Sequence, residues 1–146
     1  MKNFLELLDT NKSINVELEL DVISDNGFPT IEVHLNNQRI FDKGLITTFQ
    51  SFCIGVNLLD PIKLQIEVSN KEYNATLETA VIIKKFSIDK IDIIPNYTHY
   101  SYYDNDHNFT NTTSYLGFNG IWIFDTKAPF YQWLHQAQGQ GWLLSP

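Results

Sequence analysis

Apolar and polar residues alternate along most of the first 95 positions. Ile14, Val16, Leu18, Leu20 and Val22 are separated by Asn15, Glu17, Glu19 and Asp21. Successive side chains of a strand point to opposite faces, so this run predicts a half-buried strand with an acidic outer face. The period returns at Ile31, Val33 and Leu35, with Glu32 and His34 between them. It is clearest at Ile62, Leu64, Ile66 and Val68, interleaved with Lys63, Gln65, Glu67 and Ser69. Residues 45–59 read as one or two strands. Further strands are expected at Tyr73–Thr79, Val81–Phe86 and Ile88–Ile94. The breaks carry turn chemistry. Asp25-Asn26-Gly27, Asn36-Asn37, Asp42-Lys43-Gly44, Asp60-Pro61 and Asn70-Lys71-Glu72 hold the residue types that tolerate positive φ or fix a turn.

Strands spaced about eight to twelve residues apart, with turns between them, predict an antiparallel sandwich or barrel. A parallel α/β design needs helices between its strands, and none of useful length is predicted before residue 96. The pattern then changes. Residues 97–115 are polar and aromatic without lasting periodicity and are expected to form a long loop. Leu116–Phe124 reads as a strand with a bulge. Asp125-Thr126 is expected to cap a short helix, with Pro129 in its first turn. Phe130, Trp133, Leu134 and Ala137 fall on one helical face, and Gly139 or Gly141 is expected to end it. The expected organisation is a β-sandwich core over 1–96. An aromatic loop, a final strand and the helix, over 97–146, pack on or project from it.

Composition narrows the function classes. The chain has 146 residues, which is one domain by the usual prior of about 100–200 residues. It has 10 Lys and Arg against 17 Asp and Glu, a net charge of -7. An acidic domain offers phosphates no basic face, which argues against nucleic acid and against anionic membranes. Cys53 is alone, so no intrachain disulfide forms, and its place in Phe52-Cys53-Ile54 predicts a buried, inert thiol. Glu6 and Asp9 interrupt the apolar start, so no signal peptide is expected and synthesis is placed in the cytoplasm. Five N-x-S/T sequons, at Asn11, Asn74, Asn96, Asn108 and Asn111, are taken as chance matches of a short motif.

Three groups of residues are candidates for a site. Asp104, Asp106 and Asn108 stand at positions 1, 3 and 5 of a D-x-D-x-N pattern. Alternating oxygen ligands on a tight loop can wrap calcium, although Phe109 and Tyr115 stand where a full loop motif has Gly and Glu. Tyr97, Tyr100, Tyr102 and Tyr103 form an aromatic cluster that can stack on the C–H faces of sugars, a glycan-binding candidate. Trp122, Phe130, Trp133 and Trp142 are candidates for protein docking, because Trp and aromatic residues desolvate large areas with few rotors. No H-E-x-x-H, C-x-x-C, Walker, G-x-G-x-x-G or G-x-S-x-G pattern is present, and no enzyme activity is expected.

The stretch Ile14–Ile94 resembles small calcium-dependent carbohydrate-binding modules with a jelly-roll sandwich. The likeness rests on Phe28-Pro29-Thr30-Ile31-Glu32-Val33-His34-Leu35-Asn36-Asn37, on Ile66-Glu67-Val68-Ser69-Asn70 and on Val81–Ile93. Such domains recur in tailed phages. Tyr115–Gly120, Pro129–His135 and Gly139–Leu144 are similar to uncharacterised structural proteins of those phages. The resemblance implies an all-β jelly-roll sandwich with a short C-terminal helix. It implies calcium held by loops after the late strands, where Asn70 and Glu78 match and Lys71 departs. The expected function is a non-enzymatic virion protein, in capsid decoration or fibre assembly, acting through other virion proteins or its own copies. The alternative is a carbohydrate-binding module that recognises a surface glycan with calcium.

Overall fold

The computed structural model describes residues 13–110 and 112–138. Among the described residues ten strands run in the order β1 Ser13–Ser24, β2 Thr30–Leu35, β3 Gln38–Leu45, β4 Gln50–Asn57, β5 Pro61–Ser69, β6 Thr79–Ile88, β7 Ile91–Ile94, β8 Ser101–Asn105, β9 Tyr115–Leu116 and β10 Gly120–Pro129. A 3-10 turn at Thr98–Tyr100 leads into β8, and an α-helix, α1 Phe130–Ala137, follows the strands. They form two five-stranded antiparallel sheets. The first has the order β4-β1-β6-β7, with β9 also paired to β6, and the second has the order β3-β2-β5-β10-β8. The chain is an all-β antiparallel sandwich with a short C-terminal helix.

The alternation in sequence becomes alternation in burial. Val16, Leu18 and Leu20 of β1 face Ile31, Val33 and Leu35 of β2 and Ile62, Leu64, Ile66 and Val68 of β5 across one core. Asn36 and Asn37 both adopt positive φ and turn β2 into β3, as their type predicts. Asp89 and Lys90 do the same between β6 and β7.

Strand β10 is the element that completes the second sheet. It pairs with β5 on one side and β8 on the other, setting Trp122 against Ile66 and Tyr103. Trp122 and Phe124 are fully buried and meet Phe86 of the opposite sheet edge to face, at 6.1 and 5.1 Å. The Trp122 indole N–H donates to the Thr113 carbonyl at 3.0 Å, so the ring is buried without an orphan donor.

Several expectations are corrected. Residues 73–78 form a loop rather than a strand, and β6 begins at Thr79 and runs unbroken through Ser87. Residues 101–105 of the expected loop are a strand. The division at residue 96 therefore cuts through a sheet, because β8 and β10 are members of it. Asp125-Thr126 does not cap the helix. Strand β10 continues past a register shift to Pro129, which occupies the cap position. The buried Thr126 hydroxyl accepts the Ile62 N–H at 2.9 Å and donates to the Ala128 carbonyl at 2.6 Å. Cys53 is exposed, because Phe52 and Ile54 take the inner positions of β4 and period 2 turns the thiol outward. The helix face does hold, with Phe130, Trp133 and Leu134 buried.

Replacing Trp122 by Ala is expected to destabilise the domain by about 3–5 kcal/mol, the usual cost of deleting a buried large aromatic ring. Phe49, which is exposed, is expected to tolerate the same change within about 0.5 kcal/mol. Urea unfolding of the two variants checks this, and equal losses would contradict the placement of β10.

Candidate functional site

The loops that leave β5 and β8 meet at one end of the sandwich. Loop 70–78 starts with Asn70 at positive φ. The side chain of Asn119 holds this loop in place: its carbonyl oxygen accepts the Lys71 backbone N–H at 2.9 Å, and its amide donates to the Lys71 carbonyl at 3.0 Å. Further along, the Asn74 side-chain oxygen accepts the N–H of Thr76 and of Leu77. This is the local turn that Asn side chains build by standing in for backbone.

Loop 106–109 is organised by a residue outside the D-x-D-x-N set. The buried Asn105 side chain accepts from His107 N and Phe109 N and donates to the Tyr103 and Phe109 carbonyls, at 2.9–3.0 Å. An amide thus fills the centre of the turn that the spacing assigned to calcium. Asp104 is exposed on β8. Asp106 instead accepts the Tyr73 hydroxyl at 2.6 Å and pairs with His107 Nδ1 at 2.7 Å. Asn108 sits at positive φ. Among the described residues no three acidic, His or Cys side chains are placed to hold a metal ion. Asp104, Asp106 and Asn108 do not fit calcium, and Glu78, carried over by resemblance, is already bound to Lys71.

Between these loops lies a cleft of about 360 Å³, lined by Lys71, Tyr73, Asn74, Glu78, Phe109, Thr113, Tyr115, Gly117 and Phe118. That is at the small end of the ~300–1,000 Å³ range of ligand pockets. Tyr73, 44% exposed, is tied to Asp106 and also accepts the Asn119 N–H at 2.8 Å. Its ring lies 4.4 Å from His107, which stacks on Phe118 at the same distance. Tyr115 is also exposed, and burial together with the neighbouring Glu78 carboxylate pushes its phenol up. Gly117 lets the Tyr115 ring lie close, because a Cβ there would stand 2.9 Å from the ring. The cleft thus presents two exposed tyrosine rings, Tyr73 anchored through its hydroxyl to Asp106 and Tyr115 next to Glu78.

Lys71 lies between them. Its side chain is 5% exposed, and its ammonium donates to Glu78 Oε1 at 2.5 Å and to the Gly117 carbonyl. It stands 5.3 Å from the centre of the Tyr73 ring. Burial pulls the Glu78 carboxyl up, but hydrogen bonds from Lys71, Tyr115 and the Thr79 N–H outweigh it and hold the group below its ordinary value. Asp106 behaves alike: burial raises it, and the bonds from Tyr73 and His107 bring it below its ordinary value.

The tyrosines expected to bind glycan do not form one surface. Tyr103 is buried, and its hydroxyl donates to the Phe118 carbonyl and accepts the Phe118 N–H. Tyr97 packs its ring edge to face on Trp133 at 5.5 Å, and Tyr100 does so at 5.3 Å, so both cover the helix. Tyr102, 62% exposed, lies on the outer face of β8. The period of two separates it from Tyr103. The docking expectation is corrected too. Trp122, Phe130 and Trp133 are core residues, and Trp142 lies outside the described residues. Of the cleft residues, Lys71 and Glu78 enter the sequence reading only through the resemblance, as a departure and a match at a calcium position, and Tyr73 and Tyr115 are not singled out there as ligand contacts. From the residues alone, 70–78 reads as a turn at Asn70-Lys71-Glu72 followed by a strand from Tyr73, and the structure makes the whole stretch a loop.

No protein-family profile and no curated protein matches the chain. Two solved structures resemble the fold. One, vCBM60 in complex with galactobiose, shares 13% identity with a TM-score of 0.49, covering 75% of this chain and 96% of that one. The other is a selenomethionine form of vCBM60, described with a circular permutation that links two families of calcium-dependent carbohydrate-binding modules. It shares 12% identity with a TM-score of 0.49, covering 77% of this chain and 90% of that one.

Tyr103, Tyr115 and Tyr131 are each pushed up to about 12, all first by burial, with Glu78 adding to Tyr115 and Asp89 to Tyr131. A phenol with a raised folded value stabilises the fold fully below the unfolded value of about 10, and that contribution is lost as pH rises through the folded value. Stability is therefore expected to fall between about pH 10 and 12. Phenolate absorbance checks this. Part of the signal from the seven tyrosines should appear only near pH 12, and simultaneous ionisation near pH 10 in the folded protein would contradict it.

Proposed function

We propose that this domain is a carbohydrate-binding module without catalytic activity, taking a neutral saccharide in the cleft between Tyr73 and Tyr115. The observation that carries this reading is the pair of exposed tyrosine rings on the cleft, Tyr73 locked to Asp106 and Tyr115 beside Glu78. A pyranose face is a sheet of C–H bonds, and a fixed aromatic face covers it with little rotor entropy lost on binding. The hydroxyls around the sugar need both donors and acceptors. Lys71, Asn74, Glu78 and Thr113 supply both kinds along the rim.

Two further features support binding without reaction and favour a neutral ligand. Glu78 and Asp106 are both held ionised, so neither has a proton to give a leaving group at neutral pH. A general acid in a glycosidase needs the opposite shift. The net charge of -7 repels acidic saccharides at long range, and Glu78 neutralises the Lys71 ammonium nearby.

A glycan array carrying neutral and acidic saccharides, followed by calorimetry on the best hits, tests the reading. Tyr73→Ala and Tyr115→Ala are each expected to weaken binding about tenfold or more, or ~1.4 kcal/mol. Tyr102→Ala, on the outer face of β8, should bind as the parent does. An array without hits, or full affinity in both cleft variants, would sink the proposal.

A further inference from the structure

We propose that this cleft recognises its ligand without a divalent cation, because the Lys71 ammonium is a built-in cation there. The inference rests on the reading of the cleft as a saccharide site. A hard cation in a loop site is held by carboxylate and carbonyl oxygens drawn from different segments. Lys71 gathers that donor set around its own ammonium: the Glu78 carboxylate from the end of loop 70–78 and the Gly117 carbonyl from the turn before β10. The Tyr73 ring adds a π face 5.3 Å away.

The arrangement is built rather than incidental. Lys71 is 5% exposed, and a buried ammonium is stable only when its charge is paired and its donors are used. Its backbone is pinned on both sides by the Asn119 amide, so the side chain starts from a fixed point. A divalent ion entering here would have to displace the ammonium from Glu78 and sit beside it, against like charge. The second place that the sequence assigned to a cation, loop 104–108, is filled in the same spirit by the Asn105 amide. Lys71 lines the cleft, and an ammonium has three donors. The two oxygens leave one for a ligand hydroxyl. Lys71 is therefore the polar contact that a coordinated ion would otherwise supply.

The test uses the full chain and two independent readouts. Thermal unfolding is followed in millimolar calcium chloride and in EDTA, and the same midpoint is expected in both. A midpoint raised by calcium would overturn the inference. Calorimetry with the best neutral saccharide from the array is then run in the same two buffers. Equal affinity is expected, and a loss of about tenfold or more in EDTA would overturn it. Lys71→Met should weaken binding about tenfold or more in either buffer, with Lys71→Arg retaining more, and unchanged binding by Lys71→Met would also overturn it. Where Lys71→Met does not fold, Glu78→Gln keeps the shape and removes the counter-charge. It should likewise weaken binding equally in both buffers, and calcium-dependent binding would count against the inference. If no saccharide binds at all, the saccharide reading fails, and the melting comparison still decides whether this domain takes calcium.

Discussion

Everything at the cleft end depends on strand β10 lying between β5 and β8. Its inner residues Trp122 and Phe124 close the core against Phe86. Its first residue, Gly120, passes so near β8 that a Cβ would stand 2.2 Å from the Asp104 carbonyl and 2.6 Å from Asn105 Cα. No other residue type lets the two strands approach this closely. That contact anchors loop 106–109 on one side. Asn119, one residue earlier, anchors loop 70–78 on the other. The cleft is the gap between two loops tied to the same end of one strand.

The chemistry of the cleft follows from satisfying buried polar groups. Tyr73, Asp106 and His107 form one chain of hydrogen bonds, while Lys71 is held by Glu78 and the Gly117 carbonyl. The Tyr73 phenol is fixed by Asp106, and the donors around Asp106 and Glu78 hold both carboxyls below their ordinary values. The outcome is a rigid surface with paired charges. That pairing is what the proposal of a neutral, hydroxyl-rich ligand rests on.

Strands β1, β2 and β5 were legible because hydropathy and burial agree there at every second residue. Strand β8 was not, for a physical reason. Its inner positions are Ser101, Tyr103 and Asn105, while the most exposed large ring, Tyr102, points outward. Hydropathy and burial run out of step, and only pairing with β10 reveals the strand. Loop 70–78 failed in the opposite sense: Tyr73 and Leu77 looked like the start of a strand but are exposed. The D-x-D-x-N spacing was real, yet Asn105, between its members, took the centre of the turn.

The sequence alone determined the class of architecture, the hairpin at Asn36-Asn37 and the buried face of the helix. These depend on side-chain period and local backbone preference, which short segments carry by themselves. Tertiary structure decided which tryptophans are core, which tyrosines face solvent, and that Lys71 meets Glu78, Gly117 and Tyr73. The reason is distance along the chain. Lys71 and Gly117 are brought together from separate loops, and no local pattern records a contact set by the register of β10 against β5.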